Sequence, residues 1–182
     1  MPGMRGSAGP WGDARPRVLR GQGVAGWRLR PRRARCVGCG GTHVPLPVGV
    51  LVRRADAAVA IGAALVAKAA GWGHRRIAEW LGRPAATVRG WLRRFAARAG
   101  PLRAAFTTLL CALDADPPVL GPAGSGVADA VAAILAAATA VGRRWGLVLV
   151  GLSPWELAAA VTGGRLLLPG STVGVCNTSC PW

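Results

Sequence analysis

The chain has 182 residues, 23 of them basic and seven acidic, for a formal net charge of +16. The excess lies in one half: residues 1–100 carry 19 basic residues against Asp13, Asp56 and Glu79, whereas residues 101–182 carry four of each sign. A polyanionic partner is expected of the first half. An odd count of five cysteines, with no charged start leading into an apolar core, argues against secretion.

Every cation except Lys68 is an arginine, the side chain that grips phosphates bidentately and reads guanine edges. A GC-rich genome would also raise arginine, but it would do so in both halves. The longest apolar stretches, Val127–Gly142 and Leu147–Leu152, are parted by Arg143-Arg144, and the first contains Asp129. Neither reaches the ~20 residues of a membrane helix, so no membrane partner is expected.

In chain order, residues 1–25 are rich in Gly, Pro and Arg without periodicity, which predicts a poorly ordered arm with Trp11 as its one large apolar residue. Trp27–Arg35 alternates large and charged residues, as a strand does, and runs into Cys36-Val37-Gly38-Cys39-Gly40-Gly41. Two cysteines at this spacing among glycines form half of a zinc site. A closed site needs four ligands. His43 lies near enough to be a third, and Cys176 and Cys180 reach it only if the C-terminus folds back over this region.

Asp56 is placed to cap a helix running to Lys68–Ala70, stopped by Gly71, with Val59, Ile61, Ala63, Leu65 and Val66 as its apolar surface. The stretch from His74 to Phe95 then reads as a helix-turn-helix. Ile77, Ala78 and Leu81 share one face of a short helix, Gly82-Arg83-Pro84 breaks it, and Val88, Trp91, Leu92 and Phe95 share the inner face of a second helix. Gly82 permits a left-handed turn residue, and Pro84 suits the first position of the second helix. Trp80 and Trp91 are expected as the largest members of a three-helix core. The outer face keeps Ala86, Thr87, Arg89, Gly90, Arg93 and Arg94, small and basic residues suited to a DNA groove. An ordinary helix pair with a solvated arginine face is the competing reading of the same pattern.

Gly100-Pro101 is expected to end the second helix. Leu102–Leu113 follows as a helix with Phe106, Leu109, Leu110 and Leu113 on one face and Cys111 buried within it. Pro117–Gly126 reads as a linker, Val127–Gly142 as an alanine-rich helix, and Ser153-Pro154-Trp155-Glu156 as a capping box opening another, stopped by Gly163-Gly164. The predicted architecture is mainly α: an arm at 1–25, a small degenerate β zinc-ribbon-like segment at 26–50, a three-helix helix-turn-helix domain at 54–100, a helix at 101–116, a linker at 117–126 and a helical region with an irregular tail at 127–182.

The order Ala78, Gly82, Val88, Trp91 resembles the helix-turn-helix of bacterial regulators and insertion-sequence transposases. The run Arg32–Gly40, followed by Thr42–Pro47 and a helix-turn-helix, resembles the N-terminal zinc ribbon of such transposases and of related transposon-associated proteins of unknown function. Those ribbons carry a further Cys-x-x-Cys pair upstream. Here Gly9–Arg17 resembles the segment just after that pair, so the resemblance implies that the first pair was lost, through a start codon placed too late or by decay. Zinc on Cys36 and Cys39 is what the resemblance implies, with half of the ligand set present.

A transposase would need a carboxylate triad on a sheet, and residues 101–182 offer only Asp114, Asp116, Asp129 and Glu156 within helical patterns. The expectation is therefore a non-catalytic, sequence-specific binder of double-stranded DNA, a cytoplasmic transposon-associated accessory or regulatory protein, with a transposase or a second copy of itself as a further partner. Arg89 and Arg93 would read bases; Arg75, Arg76, Arg83, Arg94 and Arg98 would lie along the DNA, mostly on phosphates; Arg28–Arg35 would track a neighbouring groove or the backbone. The rival class is a helical interaction protein whose basic arm contacts RNA or an anionic membrane surface.

Overall fold

A computed structural model describes residues 8–22, 26–38, 40–146 and 151–169. The N-terminal part is a bent antiparallel ribbon, so residues 8–20 hold strands where the sequence predicts an arm. β1 (Ala8–Asp13) pairs with β4 (Arg32–Cys36), Ala8 lying opposite Cys36, and β2 (Arg17–Arg20) pairs with β3 (Gly26–Leu29), Arg20 lying opposite Gly26. The Ala14 N–H donates to the Pro31 carbonyl at 2.7 Å and joins the two pairings. Pro16 and Pro31 have no N–H to give to a ladder, which explains the bend between the two ladders. β5 (Thr42–His43) adds to β4, with His43 opposite Ala34.

Six helices follow. α1 (Ala58–Ala69), α2 (His74–Leu81) and α3 (Ala85–Ala96) form the three-helix unit. Ile77, Ala78, Leu81, Val88, Trp91, Leu92 and Phe95 are all buried, as the periodicity predicts. Gly82 closes α2 at φ 60°, ψ 42°, and the N–H groups of Gly82 and Arg83 return to the carbonyls of Glu79 and Ala78. Pro84 precedes the first turn of α3 as its N-cap, one position earlier than expected.

Three sequence expectations are corrected here. Asp56 caps no helix: α1 starts after Ala57 without a side-chain cap, and the buried carboxylate is taken by two arginines instead. Trp80 is 55% exposed, because it falls at the edge of the stripe formed by Ile77, Ala78 and Leu81, beyond the reach of the core. In α1 the buried stripe is Ala58, Ile61, Ala64 and Leu65, with Val66 turned to solvent.

α4 (Ala99–Leu113) begins before Gly100-Pro101 instead of after it. A proline in the first turn costs no hydrogen bond, so the break between α3 and α4 falls at Ala97-Arg98. Phe106 and Leu110 are buried, and Cys111 is exposed rather than buried. α5 (Gly126–Trp145) runs through Arg143-Arg144, which the sequence reads as an interruption. At 20 residues it is long and apolar enough to cross a bilayer by length and composition. Its apolar stripe of Ala130, Ile134 and Ala137 is nevertheless buried in the protein core, packed on α4 and α1.

α6 (Pro154–Val161) opens with the expected capping box: the Ser153 hydroxyl accepts from the Glu156 N–H and the Glu156 carboxylate accepts from the Ser153 N–H. Gly163 and Gly164, at φ 54° and 73°, end it. Its Trp155 lies against Gly62 of α1, where an added Cβ would come within 2.0 Å of the indole. One continuous apolar core therefore runs from Leu51 to Leu167. The C-terminal helices buttress the helix-turn-helix, and residues 117–125 connect two packed helices of one body.

Candidate nucleic-acid interface

α3 presents two faces of opposite chemistry because its apolar residues recur at three and four positions. Val88, Trp91, Leu92 and Phe95 hold it to the core, and this leaves Ala86, Thr87, Arg89, Gly90, Arg93 and Arg94 outside. Those six residues, with the edge of Trp91 and with Arg54, line a shallow concavity of about 730 Å³. Gly90 keeps its floor low. Arg94 folds over it, and a Cβ at Gly90 would lie 2.8 Å from the Arg94 Nη1.

Arg54 is a member that sequence reasoning missed. The only local signal is the pair Arg53-Arg54 ahead of α1, and nothing in that pair points it at α3. The chain turns at Arg53, whose φ of 59° is unusual for a side chain of this type. Arg54 then lies beside the recognition helix with its Nε shielded from solvent and without a hydrogen-bond partner among the described residues. Burial, and secondarily the charge of Arg94, lower its pKa from the ordinary arginine value. Among the described residues no carboxylate pairs with Arg54, Arg89, Arg93 or Arg94. Four like charges gathered without counter-charges among the described residues make an anion-seeking surface along the outer face of α3.

The other predicted contact residues divide. Arg75 and Arg76 are exposed on α2, and the Arg76 guanidinium lies 3.9 Å from the centre of the Trp72 ring, itself edge-on to Trp80 at 5.8 Å between centroids. Arg83 turns inward. Its side chain is 8% exposed, its Nε donates to Asp56 at 2.7 Å, and its Nη atoms donate to the carbonyls of Gly21, Leu81 and Gly82. Arg98 is also buried and donates to the Arg165 carbonyl, tying the end of α3 to the segment after α6. Burial lowers its pKa as well. Both arginines are structural struts.

At the ribbon's open end Cys36 is buried, its N–H donating to the Gly41 carbonyl and its own carbonyl accepting from the Gly40 N–H. His43, next to it on β5, is buried too. Cys39, Cys176 and Cys180 lie outside the described residues. Among the described residues no group of three or more His, Cys, Asp or Glu side chains converges as a metal site. The described geometry thus supplies Cys36 and His43 near one turn and tests no complete ligand set.

Three of the four acids of the second half are engaged elsewhere. Asp114 meets Arg143 at 2.6 Å, Asp129 meets Arg103 at 3.3 Å and accepts from the Ala123 N–H, and Glu156 serves its cap.

A short helix, a left-handed glycine turn and a second helix with a basic outer face define a helix-turn-helix, an arrangement that suggests DNA binding. Residues 54–103 match the family of homeodomain-like domains, which spans α1, α2, α3 and the first turn of α4. No curated protein and no solved structure matches the chain.

Proposed function

We propose that the chain is a sequence-specific double-stranded DNA-binding protein in which α3 enters the major groove, acting as a non-catalytic accessory or regulatory factor associated with transposons, on DNA in the cytoplasm. The observation that carries the reading is the arginine cluster of Arg54, Arg89, Arg93 and Arg94 around small residues on the face of α3 that the core leaves open. Arg89 and Arg93 read base edges, and Arg54, Arg75, Arg76 and Arg94 hold phosphates. Arg83 and Arg98, buried in their internal hydrogen bonds, leave the contact set. Helix-turn-helix modules of this family are common in transposases, which supports the transposon association.

Selection of bound sequences from a random duplex library tests the reading. A recovered consensus, with binding that survives excess heterologous duplex, supports it. Equal binding to duplex, RNA and anionic vesicles would replace it with a helical interaction protein carrying a general basic surface. We further propose that zinc is held substoichiometrically, because Cys36 and Cys39 supply two of the four ligands a tetrahedral site needs. Metal analysis of the purified chain should give well under one zinc per chain; a full equivalent overturns this.

A further inference from the structure

The ribbon is fastened to the helical body at the end of β2. The Arg20 N–H donates to the Ala55 carbonyl at 2.8 Å and its carbonyl accepts from Ala57 at 2.9 Å, so the end of β2 lies alongside the segment that opens α1. The Arg20 Nη2 meets Asp56 Oδ2 at 2.7 Å, and Arg83 Nε meets Asp56 Oδ1 at 2.7 Å. Arg83 also donates from Nη2 to the Gly21 carbonyl at 2.8 Å. The Asp56 carboxylate, 3% exposed, thus takes one guanidinium from the ribbon and one from the turn between α2 and α3.

That turn leads directly into the N-terminal end of α3, the end whose residues contact base edges when such a helix enters a groove. Arg54, two residues before Asp56, lines the concavity along the outer face of α3 together with Arg94 of its last turn. The ribbon is therefore held beside the reading end of α3, and it is itself basic. Arg28, Arg32 and Arg33 are exposed, and among the described residues its one acid, Asp13, is taken by Arg30 at 3.1 Å.

We propose that the ribbon is a second DNA-contacting element, locked by Asp56 through Arg20 and Arg83 to the turn ahead of α3, so that Arg28, Arg32 and Arg33 meet phosphates flanking the site that α3 reads. This rests on the DNA-binding reading of α3 given above. Asp56, Arg20 and Arg83 are positioning residues. A ribbon fixed in advance binds as part of the same event as α3, at a high effective concentration and without a separate ordering cost.

The test uses the full chain, an Arg28→Ala/Arg32→Ala/Arg33→Ala variant and Arg20→Ala. Arg20→Ala is preferred to Asp56→Asn because it leaves the Asp56–Arg83 pair in place, and its melting temperature is checked first. Affinity for a heterologous duplex is measured against salt, and hydroxyl-radical footprints are taken on the selected duplex. The triple variant should lower the slope of log affinity against log salt by about 2–3, near 0.9 per phosphate released, and remove protection from one flank. Arg20→Ala should bind roughly tenfold more weakly with faded flank protection, while base preference within the α3 site stays unchanged.

A triple variant with the wild-type slope and footprint overturns the ribbon contact. Arg20→Ala with wild-type affinity and footprint overturns the lock. Loss of salt slope in the triple variant together with no sequence preference in the wild type would support the ribbon and sink base reading by α3. Base preference that depends on Arg89, with ribbon variants behaving as wild type, would do the reverse. Failure to bind any duplex sinks both.

Discussion

Two groups of arginines near α3 stand in opposite circumstances, one at the turn ahead of its first residue and the other along its outer face. Arg20 and Arg83 converge on the buried Asp56 carboxylate, Arg83 almost fully buried and Arg20 half-exposed, so that one negative charge offsets part of theirs. Arg54, Arg89, Arg93 and Arg94 converge on nothing of opposite sign among the described residues. The residue type is the same, so composition cannot tell the groups apart. What separates them is whether a carboxylate lies within reach. The first group fixes the shape of the surface, and the second gives that surface its affinity for an anion.

The tryptophans divide in the same way, and they give the largest expected effect. Trp91 is 2% exposed on the inner face of α3. Trp91→Ala should cost about 3–5 kcal/mol of folding stability, as truncation of a buried aromatic does. Thermal or denaturant unfolding reads this directly, and a variant that melts like the wild type would place the ring outside the core. DNA binding should fall with the fold and show no change of base preference in whatever folded fraction remains.

Arg83→Ala comes next. It leaves the buried Asp56 with Arg20 alone and strips the Gly21 and turn carbonyls of a donor, for a loss of about 3 kcal/mol in stability. If Arg83 instead reached DNA, the variant would fold normally and bind weakly, which would dissolve the division between the two groups. Arg89→Ala is the complementary case. Stability should stay within about 0.5 kcal/mol of wild type, while specific binding weakens by about 1–3 kcal/mol and preference relaxes at one base position. A uniform loss across all duplexes would move Arg89 from base readout to the phosphates.

The smallest effect is expected at Trp80. Its indole is 55% exposed and touches Trp72 edge-on, so Trp80→Ala should change stability by no more than about 0.5 kcal/mol in an unfolding titration. A loss as large as that of Trp91→Ala would mean the outer face of α2 is covered after all.

Much of this protein is legible in the local patterning of its sequence. The burial of Ile77, Ala78, Leu81, Val88, Trp91, Leu92 and Phe95 follows from helical spacing alone, and Gly82 announces its left-handed turn because few other residues adopt one. The capping box at Ser153 and the charge asymmetry between halves are equally local facts. From them come the helix-turn-helix and its basic outer face.

The tertiary structure decided what depends on partners distant in sequence. Asp56 looks like a helix cap because a capping residue is recognised by its position, whereas its real partners stand 36 and 27 residues away. Trp80 and Trp91 are equally large and apolar, and the 3.6-residue pitch of their helices turns one outward. Residues 8–20 show little local periodicity because their strands are stabilised by pairing with residues 26–36, and pairing leaves no trace in composition. The apparent linker and separate C-terminal region merge into one core because Trp155 finds the space that Gly62 leaves in α1. Spacing along one helix is written in consecutive residues; which surfaces meet, and which charges are cancelled when they do, is settled only when the chain is packed.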